Sequence, residues 1–366
     1  MDIKYPVMRP YIDEAEKRLV AQSIDDGWIS SIGPYVERFE RLFAEYAGAP
    51  YALSCSNGTT ALHLALMAID LAPGDEVIVP DITFIATANA VTYAGATSVL
   101  VDVEPDTWAM DPKEIEKKIT KRTKAIIPVH LYGHPADMDP IMAIAKANGI
   151  AVVEDAAESL GARYKGRFSG CIGDIGCFSF YGNKIITTGE GGMVVTASEE
   201  LYKKMQLLRN HGMTKERRYW HPVIGYNYRM TSLQAAFGCG QMEKVDAIVK
   251  KRVADAAVYH RELAGVPGIV PHPCREWAYN VYWMYSILVE DPTRRDGLMQ
   301  ALLEDGIETR PFFYPVHEMP RYERPNEYPV STRLARAGIN LPTYFAMTEE
   351  DIVYICGRIK THVQRA

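Results

Sequence analysis

Glu154-Asp-Ala-Ala-Glu-Ser-Leu-Gly161 and, further on, Phe178-Ser-Phe-Tyr-Gly-Asn-Lys-Ile-Ile-Thr-Thr-Gly-Glu-Gly-Gly-Met-Val-Val-Thr196 decide how this chain of 366 residues is read. Val152 and Val153 lead into Glu154 and Asp155, an apolar run ending in two carboxylates. That is the pattern of a buried parallel strand delivering an acid at its C-terminal end. Phe178–Tyr181 reads as another short strand, which opens into Gly182-Asn-Lys184 and then the glycine-rich Gly189-Glu-Gly-Gly192.

Taken singly, these features are ordinary. A lone lysine near glycines is usually a solvated loop residue, and an aspartate closing a strand is often a cap or turn former. Together, a lysine among small residues and an acid on a neighbouring strand end suit pyridoxal 5'-phosphate (PLP). That cofactor takes a lysine as its Schiff-base partner and an acid facing its pyridinium nitrogen. The pairing then requires a phosphate cradle elsewhere in the chain.

Cys55-Ser-Asn-Gly-Thr-Thr-Ala-Leu-His63 is the candidate, although by itself such a segment is often just a turn and N-cap. It lies between an expected strand and an expected helix. Gly58 lets the backbone close on an oxyanion, Thr59 and Thr60 add hydroxyls, and the amides of the helix start point outward. The segment has neither the spacing of a dinucleotide fingerprint nor a Walker lysine, so a nicotinamide fold is disfavoured. Phe84, just after the next strand, reads equally as a core residue or as a ring stacked on a planar cofactor.

Around these motifs the chain alternates. Strands are expected near 51–54, 76–80, 97–101 and 124–129, with helices near 60–69, 86–93, 112–119 and 140–147. Apolar strands alternating with helices predict an α/β fold with a mainly parallel sheet, which binds ligands beyond its strand C-termini. Ahead of them, amphipathic helices over 12–26 and 34–47 fit either a local cap or a dimer arm. A long helical span over 231–259, with a break near Asp246, leads to proline-bearing text at 265–273. Beyond it a smaller α+β unit is expected, with strands at 282–289 and 307–310 and helices at 293–304 and 348–362. The division expected is a large domain over 1–250 and a small one over 251–366.

A net charge of −6 argues against a nucleic-acid or anionic-membrane partner. The six cysteines show no C-x-x-C pair and no zinc spacing, so no metal is expected and a reducing, cytoplasmic setting is. The N-terminus does not read as a signal sequence, and no apolar run is long enough to span a bilayer.

Several passages now carry a resemblance: Gly27-Trp-Ile-Ser-Ser31, Ser56-Asn-Gly-Thr-Thr-Ala-Leu-His-Leu-Ala-Leu66, Val129-His-Leu-Tyr-Gly-His-Pro135, Gly182–Met193, Tyr219–Thr231 and Glu308–His317. From end to end the chain resembles the DegT/DnrJ/EryC1/StrS family of PLP-dependent sugar aminotransferases, which has the fold type I (aspartate aminotransferase-like) architecture. The resemblance implies that Lys184 is the Schiff-base lysine and Asp155 the partner of the ring nitrogen. It places Glu158 beside the ring hydroxyl, Phe84 on the ring face, and Gly58, Thr59, Thr60 and Ser179 around the phosphate. It gives Asn227 to the phosphate of a neighbouring subunit, hence a homodimer or a dimer of dimers with active sites at the interface. Trp28, Arg218, Arg229, Tyr314 and His317 are the candidates for substrate contact, with Arg229 matched to a donor carboxylate by position alone. Relatives that remove a sugar hydroxyl carry histidine where Lys184 stands, so transamination is implied. The donor implied is L-glutamate and the acceptor a nucleotide-linked 4-keto-6-deoxyhexose, with GDP, UDP or dTDP as the carrier. A non-catalytic sugar-nucleotide sensor stays open but has no need of Lys184 and Asp155 together.

Overall fold

The computed structural model describes residues 3–325 and 327–365. Seven strands make its main sheet: β1 (Tyr51–Cys55), β2 (Glu76–Pro80), β3 (Thr97–Val101), β4 (Thr123–Ile126), β5 (Ala151–Asp155), β6 (Ile175–Ser179) and β7 (Gly192–Thr196). They lie in the order β1-β7-β6-β5-β4-β2-β3. β2 to β6 pair in parallel, while β7 runs antiparallel to both β6 and β1. Val77, Ile78, Val79, Val152 and Val153 are fully buried, as expected of strands covered on both faces by helices. β4 ends at Ile126, short of the expected Val129. Pro128 has no N–H for the ladder, though its carbonyl still accepts from Asp155 N at 2.9 Å.

Helices α1 (Glu14–Asp25) and α2 (Pro34–Ala47) cap this domain. α1 starts on a capping box, with Asp13 accepting from Ala15 N and Glu16 Oε2 accepting from Asp13 N, both at 2.9 Å. On α2, fully buried Phe39 and Phe43 meet Phe180 and Phe178 edge-on at centroid separations of 5.1 and 5.0 Å. Each such burial contributes about 1.5–3 kcal/mol. Both phenylalanines thereby brace the segment that carries Lys184. Both helices also lie on helix Ser232–Met242 of the same chain, where Gly238 leaves room for the Phe39 ring.

The long helical span breaks at Glu243–Lys244, a little before the expected point. Lys244 leaves the helical region and reaches Asp13 and Glu16 at 3.0 and 2.7 Å. The next helix, Val245–Leu263, runs continuously through residue 250, where the expected domain division falls.

Beyond it, a four-stranded antiparallel sheet takes the order Ile269–Pro271, Ser286–Val289, Gly338–Asn340, Arg310–Pro311. The strand expected from residue 282 begins only at Ser286. Tyr282 sits at φ 46°, outside the β region, and Val281 N turns to Gly133 O. Tyr5 pairs with Ile307, so the first described residues join this small lobe and not the large one. No helix among the described residues is long and apolar enough to cross a membrane.

Candidate active site

Several chain segments converge on one cleft of about 530 Å³. The C-terminal ends of β5 and β6 supply Asp155 and Ser179. The start of helix α3 (Gly58–Ala68) supplies Gly58 and Thr59, and the turn before helix α4 (Ala86–Tyr93) supplies Thr83 and Phe84. Lys184 lies in the loop between β6 and β7, its amide bonded to Tyr181 O at 2.9 Å.

The cleft end of α3 owes its shape to close packing. A Cβ on Gly58 would stand 2.8 Å from the Ser179 Cβ, and one on Gly192 would run into the backbone of Asn57. Two glycines therefore let a helix start and two strand ends meet. Asn57 caps the helix by accepting from Thr60 N at 2.9 Å, while Thr60 Oγ1 accepts from Asn57 N at 3.2 Å. The amides of Gly58 and Thr59, at the first two helical positions, have no intrahelical acceptor, which gives this end of the cleft free donors and a dipole that favours an anion. Gly58→Ala should force Ser179 aside at about 1–3 kcal/mol. Fluorescence titration should then show phosphate-bearing cofactor bound at least about tenfold more weakly.

Three ionisable groups meet deeper in the cleft. Lys184 Nζ is 3.7 Å from Glu158 Oε1 and 3.7 Å from the centroid of the Trp283 ring. Burial pushes the Glu158 carboxyl up to about 7, against the opposing pull of Lys184 and the Tyr132 amide, which donates to Oε2 at 2.8 Å. Burial likewise lowers the Lys184 ammonium, although Glu158 and Asp155 pull it the other way. Asp155 is raised by burial, and hydrogen bonds from Thr87 and Ala157 oppose the shift. Each group is thus drawn toward neutrality, the condition under which a proton passes cheaply between neighbours.

The raised Glu158 carboxyl should make stability depend on pH. Its folded-state value lies above the ordinary 4.5, so the folded chain holds a proton the unfolded chain has lost. The stabilisation is complete below the unfolded value and is lost as pH rises through about 7. In the cofactor-free protein, Glu158→Gln should therefore gain on the wild type as pH is raised from about 5 to about 8, by up to about 3 kcal/mol. Urea melts across that range test this. A constant difference would mean Glu158 ionises normally.

Behind β5, Glu154 and His130 are both fully buried and joined at 2.9 Å. His130 Nδ1 accepts from Ala136 N at 3.0 Å, and its Nε2 donates to Glu154 Oε2. Burial pushes Glu154 up, but His130 and the amides of Gly173 and Gly170 outweigh it and hold the carboxyl below its ordinary value. This network fixes the strand end that carries Asp155.

A DegT/DnrJ/EryC1/StrS aminotransferase family model matches residues 10–360. The chain belongs to that family. It is 46% identical to GDP-perosamine synthase of Escherichia coli O157:H7, over 98% of each chain. It is 48% identical to GDP-perosamine synthase of Caulobacter vibrioides, over 94% of this chain and 95% of that one. Among solved structures, Spr1654 from Streptococcus pneumoniae in its PLP form superposes with a TM-score of 0.93 at 31% identity, over 98% of each chain. The fold is that of PLP-dependent sugar aminotransferases, and the cofactor is PLP.

The aminotransferase's cleft fits that cofactor on its own terms. Phe84 is 55% exposed, an aromatic face held open toward the cleft instead of packed in the core. Asn183 Oδ1, in the cleft wall, is buried without a protein partner. Gly58, Thr59, Phe84, Asp155, Glu158, Ser179 and Lys184 all line the cleft.

The remaining candidates lie elsewhere. Thr60 spends both its amide and its hydroxyl on the α3 cap. Arg229 bonds Ser31 and Asn210 at 2.9 and 2.6 Å and lines a second, wider cavity with Lys215. His317 is buried against Asp81, with Nδ1 2.8 Å from Oδ2, and ties the small lobe to the end of β2. Trp28 packs over Gly33, Arg218 lies over the Tyr219 ring, and Tyr314 is exposed outside the cleft wall. Asn227 is exposed on an extended segment bridged to Asn210.

Sequence reasoning missed Thr87, Trp283 and Arg310. Thr87 stands one helical turn past Phe84, a spacing that could have flagged it. Trp283 and Arg310 enter from the small lobe, and nothing local to either announces the contact.

Proposed function

We propose that this aminotransferase moves an amino group from L-glutamate to carbon-4 of GDP-4-keto-6-deoxy-D-mannose, making GDP-perosamine for a surface polysaccharide. The observation that carries the reading is near-full-length similarity to GDP-perosamine synthases, in a chain whose cleft joins Lys184, Asp155 and an anion-ready helix start.

In this reading Lys184 holds the cofactor covalently between turnovers. Its amine, once free, would take the proton from the donor's α-carbon and pass it on to the cofactor's imine carbon. The cofactor, when bound, supplies the electron sink for breaking that bond. Asp155 meets the ring nitrogen and Glu158 the ring hydroxyl. Gly58, Thr59 and Ser179 hold the phosphate, and Phe84 covers the ring face. Arg310, half-exposed at the cleft edge with Glu308 3.7 Å away, adds a cation where anionic donor and acceptor enter.

A homodimer is part of the proposal. Ile32, Tyr219 and Ile224 are 70%, 74% and 90% exposed, an apolar surface around the segment that presents Asn227. Asn227 would reach the phosphate of the second subunit. A cytoplasmic location agrees with six free cysteines among the described residues.

The test is a visible absorption titration of purified PLP-loaded protein. Glutamate should bleach the band of the lysine-bound cofactor, and the true acceptor should restore it. Restoration by the GDP sugar alone would support the proposal. Restoration by only a UDP or dTDP 4-keto-6-deoxy sugar would replace the substrate and keep the enzyme class.

A further inference from the structure

Asp155 is held by two donors. Thr87 Oγ1 lies 2.7 Å from Oδ2, and Ala157 N lies 3.2 Å from Oδ1. Thr87 is fully buried in the first turn of α4. Its hydroxyl is also 2.9 Å from Thr83 Oγ1 and 3.2 Å from the carbonyl oxygen of Phe84.

Counting protons sets the direction of this chain. A hydroxyl has one proton to give. Of Thr87's neighbours, the Phe84 carbonyl and an ionised Asp155 only accept, and the bond to the carboxylate is both the shorter and the charge-assisted one. Thr87 therefore donates to Asp155, and Thr83 donates to Thr87. The other ionisable groups that act on Asp155 are Lys184, His130, Glu158 and Cys177. None of the four has a hydrogen bond to the Asp155 carboxylate in the structure.

Thr87 also belongs to the turn that carries Phe84, whose carbonyl accepts from Thr87 N at 3.2 Å. One side chain thus links Phe84, which would cover the cofactor ring, to Asp155, which would meet its nitrogen.

We infer that Thr87 is the positioning residue for Asp155: its hydroxyl, backed by Thr83, holds the carboxylate ionised and aimed at the cofactor's ring nitrogen. This rests on the assignment of Asp155 to the ring nitrogen and not on the identity of the sugar. Removing the hydroxyl leaves Oδ2 with no protein donor in a buried site, where such a bond matters most.

The experiment is an equilibrium titration of the cofactor-free protein, followed by fluorescence. Two probes are used: PLP, and its analogue with a C–H in place of the ring nitrogen. Thr87→Val keeps the shape and loses the hydroxyl, and should weaken PLP binding about tenfold. Thr87→Ser should restore it to within about threefold. The analogue has no ring nitrogen for Asp155 to meet, so wild type and Thr87→Val should bind it equally. PLP affinity unchanged in Thr87→Val, equal weakening for both probes, or no rescue by serine would each overturn the inference. Should Thr87→Val not fold by circular dichroism, Thr87→Ala, which leaves a hole and no clash, carries the same comparison. Wild-type protein that fails to discriminate between the two probes would instead point to the assignment of Asp155 itself.

Discussion

Lys184→Ala should lower turnover on the order of 10⁴-fold, because one side chain carries two duties in the proposed reaction, as covalent anchor and as proton carrier. The geometry supports both. Nζ stands 3.7 Å from Glu158 Oε1 and 3.7 Å from the centroid of the Trp283 ring. Trp283 Nε1 also donates to Asn183 O at 2.7 Å, pinning the backbone just before the lysine. The loop should therefore keep its form when the side chain is cut back. Mass spectrometry after borohydride treatment should find cofactor attached to the wild type and none to the variant. Added methylamine should restore part of the rate, since a small amine can enter the vacated space and carry the proton. A variant that turned over normally would remove the central claim of the proposed function.

Asp155→Asn should slow the glutamate half-reaction on the order of 10³-fold with little change in melting temperature. Asparagine can still accept from Ala157 N through its one oxygen, while its NH2 group takes the place of Oδ2 and donates to the Thr87 hydroxyl, so the packing at the end of β5 survives. What goes is the negative charge opposite the ring nitrogen. In a site this buried, that charge is not replaced by solvent. Stopped-flow absorbance with glutamate alone isolates the step from any question about the sugar. An undiminished rate would mean that another acid serves the ring nitrogen. Glu154, the other carboxylate of the strand end, is fully committed to His130 and the amides of Gly170, Ile172 and Gly173.

Much of this protein was legible without coordinates because its chemistry sits where local rules apply. An acid at the end of an apolar strand, a glycine-bearing helix start and a lysine between strands are each local patterns. A parallel sheet gathers such strand ends on one edge by construction. That is why Asp155, Ser179, Gly58 and Lys184, scattered through the sequence, could be expected in one cleft. The seven-strand order, with β7 inserted antiparallel between β1 and β6, was not legible, because pairing partners are set by long-range packing.

Only the tertiary structure decided which polar residues near the motifs serve the cleft. Thr60 and His317 read like site residues, yet a helix cap takes the Thr60 amide and hydroxyl, and a buried aspartate takes the His317 amide and Nδ1. Arg229 is held by Ser31 and Asn210 in another cavity. Thr87 and Trp283 looked unremarkable, yet one bonds Asp155 and the other lies against Lys184. Residue type and spacing determine which groups a strand or helix can offer. Whether an offered group remains free for a ligand depends on which distant segment reaches it first, and that is a property of the packed chain.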